Sequence, residues 1–186
     1  MTFGLVDAQR IGYWRGNGGT RILNSQAPRL MMFGGRHGNL MFPRRKGSTG
    51  VVIRDHAGTL CGAQAKWHEN CADAPTMDAI ACKEGLEFAR QCGVQRVHLE
   101  TDCLEFVQLW KLDGMQWSMI MPVMQEVKDL SHSFQEFVIS YVGRKCNRVA
   151  HEFARQVFGT SMFGVWLHES PTTLPELLEQ ECNHIT

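Results

Sequence analysis

Acidic residues are missing from one long stretch of the chain: none occurs between Asp7 and Asp55. Basic residues are missing from another, because no Lys or Arg follows Arg155. Formal neutrality hides both absences, since 19 Lys and Arg balance 19 Asp and Glu over the 186 residues. No apolar run approaches the roughly 20 residues that a membrane-spanning helix needs. The opening MTFGLVDAQRIGYWRG lacks a basic leader followed by a continuous apolar core, so it does not read as a secretory signal. The seven cysteines (61, 71, 82, 92, 103, 146 and 182) are odd in number and form no CxxC pair. They read as reduced thiols, several of them buried, in an intracellular protein of the nucleus or cytoplasm. His68, Cys71 and Cys82 match no common zinc-ligand spacing. Nothing resembles a Walker loop, a GxGxxG turn or a GxSxG elbow.

The apolar fraction of 44% is normal for a globular chain, and the length allows one domain with tails. Wholesale disorder is excluded, because enough apolar surface exists to offset the entropy of ordering. Charge and glycine are distributed unevenly. Residues 1–50 hold eight Lys or Arg, one acid and ten of the 18 glycines, leaving eleven basic and eighteen acidic residues for 51–186. The expected organisation is a poorly ordered basic, glycine-rich segment over 1–47, a domain over 48–158 and an acidic tail over 159–186. A basic arm attracts phosphate, or is only a solvated tail.

From Gly50 the pattern becomes regular. Val51-Val52-Ile53 and Thr59 to Trp67 read as two strands about a turn at Asp55-His56-Ala57-Gly58. A helix is expected from about 75 to 92, capped by Asp73 or Ala74, with Pro75 in its first turn and Gly93 as its stop. Met77, Ile80, Ala81, Phe88, Ala89 and Cys92 form its apolar stripe. A strand over 94–99, helices over 102–111 and 117–132, a strand over 137–142 and a helix over 147–158 follow. The order β-β-α-β-α-α-β-α implies a mixed α/β domain whose sheet is antiparallel on one side and parallel on the other.

Chemistry in such a sheet belongs at strand ends. Asp102 directly follows the strand VHLE, where it serves either a site or the N-cap of the next helix. Asp78 is expected in the first turn of the 75–92 helix, where the helix dipole also favours an acid. Asp55 suits the hairpin turn, and Glu84 and Glu87 suit a solvated helix face. His151 stands near the start of the last helix, where an isolated histidine is structural or functional.

Four blocks in order carry a family resemblance: GVVIRDHAGTL (50–60), PTMDAIACKEGLEFA (75–89), VHLETDCLEFVQLW (97–110) and YVGRKCNRVAHEFAR (141–155). Together they resemble the ribonuclease H type 1 domain, in the divergent plant branch found with non-LTR retroelement reverse transcriptases. The resemblance implies a ribonuclease H-like mixed sheet flanked by helices and an RNA–DNA hybrid endoribonuclease using two divalent ions, Mg²⁺ or Mn²⁺. It implies Asp78, Asp102 and His151 as catalytic residues, Asp78 and Asp102 as metal ligands, and Asn147 and Arg148 as parts of the same motif.

The chain departs from that family where the first strand should carry an Asp in a pattern like N-x-D-G, about a dozen residues before GVVIRD. Counting back from Gly50 reaches Arg36 to Leu40, with no acid in reach. The first strand is therefore expected to be degraded, with Gly38 to Phe42 as a short substitute, and hydrolysis to be impaired. Asp78 stands where the family has Glu, and His151 where classical enzymes carry a fourth acid. The expected partner is nucleic acid, an RNA–DNA hybrid above all, bound by a monomer with no membrane attachment. The alternative is a non-catalytic interaction domain or retroelement-derived remnant without nucleic acid affinity.

Overall fold

The computed structural model describes residues 29–36 (backbone only), 46–55, 58–71, 73–112, 119–158 and 163–167. The chain forms β1 (Arg29–Arg36), β2 (Gly47–Arg54), β3 (Leu60–His68), α1 (Ala74–Gln91), β4 (Arg96–Thr101), α2 (Leu104–Lys111), α3 (Met121–Ser131), β5 (Glu136–Tyr141), α4 (Arg148–Val157) and β6 (Phe163–Leu167), with a 3₁₀ turn at Arg144–Cys146 before α4. The six strands make one sheet in the order β5-β4-β1-β2-β3-β6. β1 runs parallel to β4, and β4 parallel to β5, while β1-β2-β3-β6 are antiparallel, as the hairpin-then-crossover pattern implies.

β1 is the main correction to the sequence reading. The expected substitute at Gly38–Phe42 lies outside the described residues. The strand instead uses Arg29–Arg36, built on Leu30-Met31-Met32-Phe33, and sits between β4 and β2. β1 ends at Arg36 and β2 begins at Gly47, so a fixed spacing counted back from Gly50 falls short of the strand. β6 lies within the expected acidic tail. The sheet therefore draws strands from both sides of the expected 48–158 boundaries.

The β2–β3 hairpin closes on Asp55, whose Oδ1 accepts the Thr59 N–H at 2.8 Å, while Gly58 takes the positive φ of 83° that the turn requires. β2 is buried on both faces along its whole length. Val51 and Ile53 pack into the core beneath α1, α2 and α3, and Val52 packs with Ala63, Ala65 and α4 on the other side. Gly50 is required on that second face. A Cβ there would meet the Ala150 carbonyl oxygen at 2.1 Å.

Asp73 caps α1, its Oδ1 accepting the Thr76 N–H at 2.8 Å. The helix ends in a Schellman motif: Gly93, at φ 74°, donates to Arg90 O at 3.0 Å and Val94 to Ala89 O at 3.0 Å. Burial on α1 is wider than the expected stripe and includes Ala79, Cys82, Leu86 and Glu84, because the helix is held between the sheet and α3. α2 begins two residues later than expected, and α3 is described from Met121, residues 113–118 lying outside the described set.

Candidate functional site

β4 ends at Thr101, and the chain turns at Asp102 before α2 begins. The N-cap of α2 is Cys103 and makes no side-chain capping bond, so Asp102 is not spent on capping. It accepts a 2.7 Å hydrogen bond from the Asn147 side-chain amide. Asn147 is 1% exposed and is the N-cap of α4, so this bond ties the start of α4 to the carboxyl end of β4. Sequence spacing placed Asn147 in a motif but gave no reason to pair it with a residue 45 positions away.

Asp78 is the fifth residue of α1, beyond the first turn, so the helix dipole gives it little. It comes to Cys103: burial first, then the nearby Asp78 and Glu105 charges and a hydrogen bond to Asp78, push the Cys103 thiol up to about 12. Cys82, one turn along from Asp78 and completely buried, is pushed well above its ordinary value by desolvation and then by the Asp78 charge, with Cys103 and Asp102 adding smaller effects. Asp78 therefore lies near both thiols, and Asp102 acts on Cys82 more weakly. The Thr101 hydroxyl accepts the Cys103 N–H at 3.2 Å and supports the turn.

His151 lies one helical turn beyond Asn147, its N–H donating to Asn147 O at 3.2 Å, and is half-buried. The i,i+4 spacing puts both on one face of α4. β1 supplies the remaining wall. Its register pairs Met32 with Thr101 and Phe33 with Gly50. The pairing of β1 with β4 ends at Met32 and Thr101, one residue before Asp102. β1, Arg29–Arg36, contains no Asp or Glu, so the acid of the pattern N-x-D-G has no counterpart on the strand beside β4.

The carboxylates and thiols do not add up to a paired-metal site. Among the described residues no three His, Cys, Asp or Glu side chains come together as a ligand set. Neutral, buried thiols are poor partners for a hard cation that prefers oxygen. The His68, Cys71 and Cys82 combination also fails, because His68 is engaged elsewhere and Cys82 lies in the core.

His68 belongs to a buried polar cluster that sequence reasoning missed. Glu84, expected on a solvated face, is 8% exposed. Its Oε2 accepts from the Thr49 hydroxyl at 2.5 Å, and its Oε1 lies 3.3 Å from Lys66 Nζ and 3.7 Å from His68 Nε2. Burial raises the Glu84 pKa, but the hydrogen bonds from His68 and Thr49 and the Lys66 charge outweigh it and hold the group below its ordinary value. The charge is tolerated because the buried Thr49 hydroxyl and the half-buried Lys66 and His68 satisfy it where it lies.

Comparison with known proteins places this geometry. The sequence profile of the family described as reverse transcriptase-like matches residues 37–157. No curated protein sequence matches the chain. Among solved structures, ribonuclease H1 of the archaeon Halobacterium salinarum is similar at TM-score 0.64 and 18% identity, over 73% of this chain and 99% of that one. The N-terminal RNase H domain of a Mycobacterium tuberculosis protein aligns at TM-score 0.60 and 16% identity, over 73% and 95%. LC11-RNase H1, solved in complex with an RNA/DNA hybrid, aligns at TM-score 0.60 and 16% identity, over 69% and 94%.

Proposed function

The chain belongs to the reverse transcriptase-like family with a ribonuclease H fold, and from that premise we propose that it binds RNA–DNA hybrids while hydrolysing them weakly or not at all. The observation that carries this reading is Asp102 at the carboxyl end of β4, fixed by Asn147 and neighboured by a strand, β1, that contains no acid. The LC11 relative held an RNA/DNA hybrid on the same fold, which supports the choice of ligand.

Asp78 and Asp102 stand at the family's ligand positions, but two carboxylates beside two buried thiols fall short of the set that a pair of Mg²⁺ or Mn²⁺ ions needs. Two divalent ions about 4 Å apart repel by about 4 kcal/mol in bulk water, and by about 16 kcal/mol at an effective dielectric of about 20. Carboxylates between the ions offset that repulsion. β1 contains no carboxylate to offer, and an Asp at 78 is one methylene shorter than the Glu the family pattern has there.

The test is incubation of the purified chain with an RNA–DNA hybrid in Mg²⁺ and in Mn²⁺. Cleavage no greater than that of an Asp102→Asn variant is expected. Robust cleavage that disappears with Asp102→Asn would show the site to be complete and the reading wrong. A second reading, an interaction domain without nucleic acid affinity, is favoured by the acidic excess from residue 51 onward. Flat or undetectable hybrid binding across a salt series would select it.

A further inference from the structure

We infer that the turn joining β5 to α4 is a docking rim for the sugar–phosphate backbone of a nucleic acid strand passing beside Asp102. In this arrangement Lys145 and Arg148 meet phosphates and the Tyr141 ring packs on an adjacent sugar. The inference rests on the nucleic acid reading above and names the surface that carries it.

Three of the eleven basic residues after position 50 fall within 144–148, on an otherwise acid-rich stretch. Arg144, Lys145 and Arg148 are all exposed. Lys145 and Arg148 form no ion pair among the described residues, so no described acid takes up their charge. Arg144 has contacts of its own and adds charge to the same turn. Tyr141 is 47% exposed and is the Cα partner of Thr101, the residue before Asp102. An aromatic ring left in water beside a basic turn suits a sugar or base, each of which offers an apolar face next to an anion.

The rim is held in place with respect to Asp102. Val142 N–H donates to Thr101 O at 2.9 Å, Cys146 to Gly143 O at 2.8 Å and Asn147 to Arg144 O at 3.2 Å, while the Asn147 amide grips Asp102 itself. The nearby acids do not neutralise it. Glu152 is engaged by Arg155 at 3.1 Å, and Glu105 stands on α2, in its first turn. Asp102 repels phosphate, which directs a strand onto the cationic rim at its side.

The experiment is fluorescence anisotropy of the full chain with a labelled RNA–DNA hybrid over a salt series, with circular dichroism confirming that each variant is folded. Each phosphate contact contributes about 0.9 to the slope of log affinity against log salt. Lys145→Gln/Arg148→Gln is expected to make the slope shallower by about 1.8. Tyr141→Ala is expected to weaken binding with the slope unchanged. Wild-type binding whose slope is the same in the double variant overturns the rim while leaving the nucleic acid reading standing. No wild-type binding overturns both. Binding of a polyglutamate peptide that is stronger than hybrid binding, and lost in the same variants, overturns it in favour of an acidic protein partner.

Discussion

Gly50→Ala tests the placement of α4, on which the geometry around Asp102 depends. The added Cβ would lie 2.1 Å from the Ala150 carbonyl oxygen and 2.9 Å from the Ala154 nitrogen. An ordinary carbon–oxygen contact is about 3.3 Å, so α4 must retreat from β2 by about 1 Å. Both atoms are helix backbone and cannot rotate aside. The cost is therefore expected at or above the upper end of overpacking, about 3 kcal/mol. With a urea m-value of about 2 kcal/mol/M, the unfolding midpoint falls by about 1.5 M. Two other glycines serve as controls because their reasons differ. Gly93 has open space but a φ of 74°, so alanine there costs about 1–2 kcal/mol from backbone strain alone. Gly143 has nothing within 4 Å and a φ of −67°, so alanine is neutral or stabilises by about 0.4–1 kcal/mol. Urea unfolding of the three variants should rank Gly50→Ala as the most damaging. A midpoint for Gly50→Ala equal to that of Gly143→Ala would refute the close approach of α4 to β2. Because α4 carries Asn147, the side-chain amide signals of Asn147 in an ¹⁵N NMR spectrum should shift in the same variant.

Glu84 is held below its ordinary pKa of 4.5 in the folded chain, so its stabilisation is present in full above about pH 4.5 and is lost as pH falls through the folded value. Glu84→Gln should accordingly flatten the fall of stability with acid below pH 4.5, as followed by denaturant midpoints over pH 2.5–6; an unchanged profile would show that the Thr49 and His68 bonds do not favour the charged form. Cys82 and Cys103 are buried thiols raised by desolvation, Cys103 to about 12, so both should resist iodoacetamide at pH 8 in the native state and react once the chain is unfolded. Rapid native labelling of either, read by mass spectrometry of peptides, would place the thiol outside the described core.

Local chemistry made much of this fold readable. The α1 boundaries follow from Asp73, Pro75 and Gly93, each of which acts within a few residues of itself. The hairpin follows from Asp55 and Gly58 for the same reason. Asp102 was marked by its position after an alternating strand, a short-range signal too. β1 was misplaced because it has no such punctuation. Its place is fixed by pairing with β4 and β2, 69 residues downstream at Met32↔Thr101 and 17 at Phe33↔Gly50. Glu84 was assigned to a solvated face because a helix pattern shows which residues are polar, not whether Thr49, Lys66 and His68 wait on a neighbouring strand.

The sequence by itself determined the element order from β2 to α4, the turn and cap residues, and the absence of any acid between Asp7 and Asp55. Those properties depend on residue identity and on contacts within a turn or two of the chain. Only the tertiary structure decided that β1 lies beside β4, that Asn147 holds the Asp102 carboxylate, and that Asp78 on α1 comes to Cys103 at the start of α2. Such pairings are set by strand register and layer packing, where residues 25 or more apart become neighbours. No local periodicity records them.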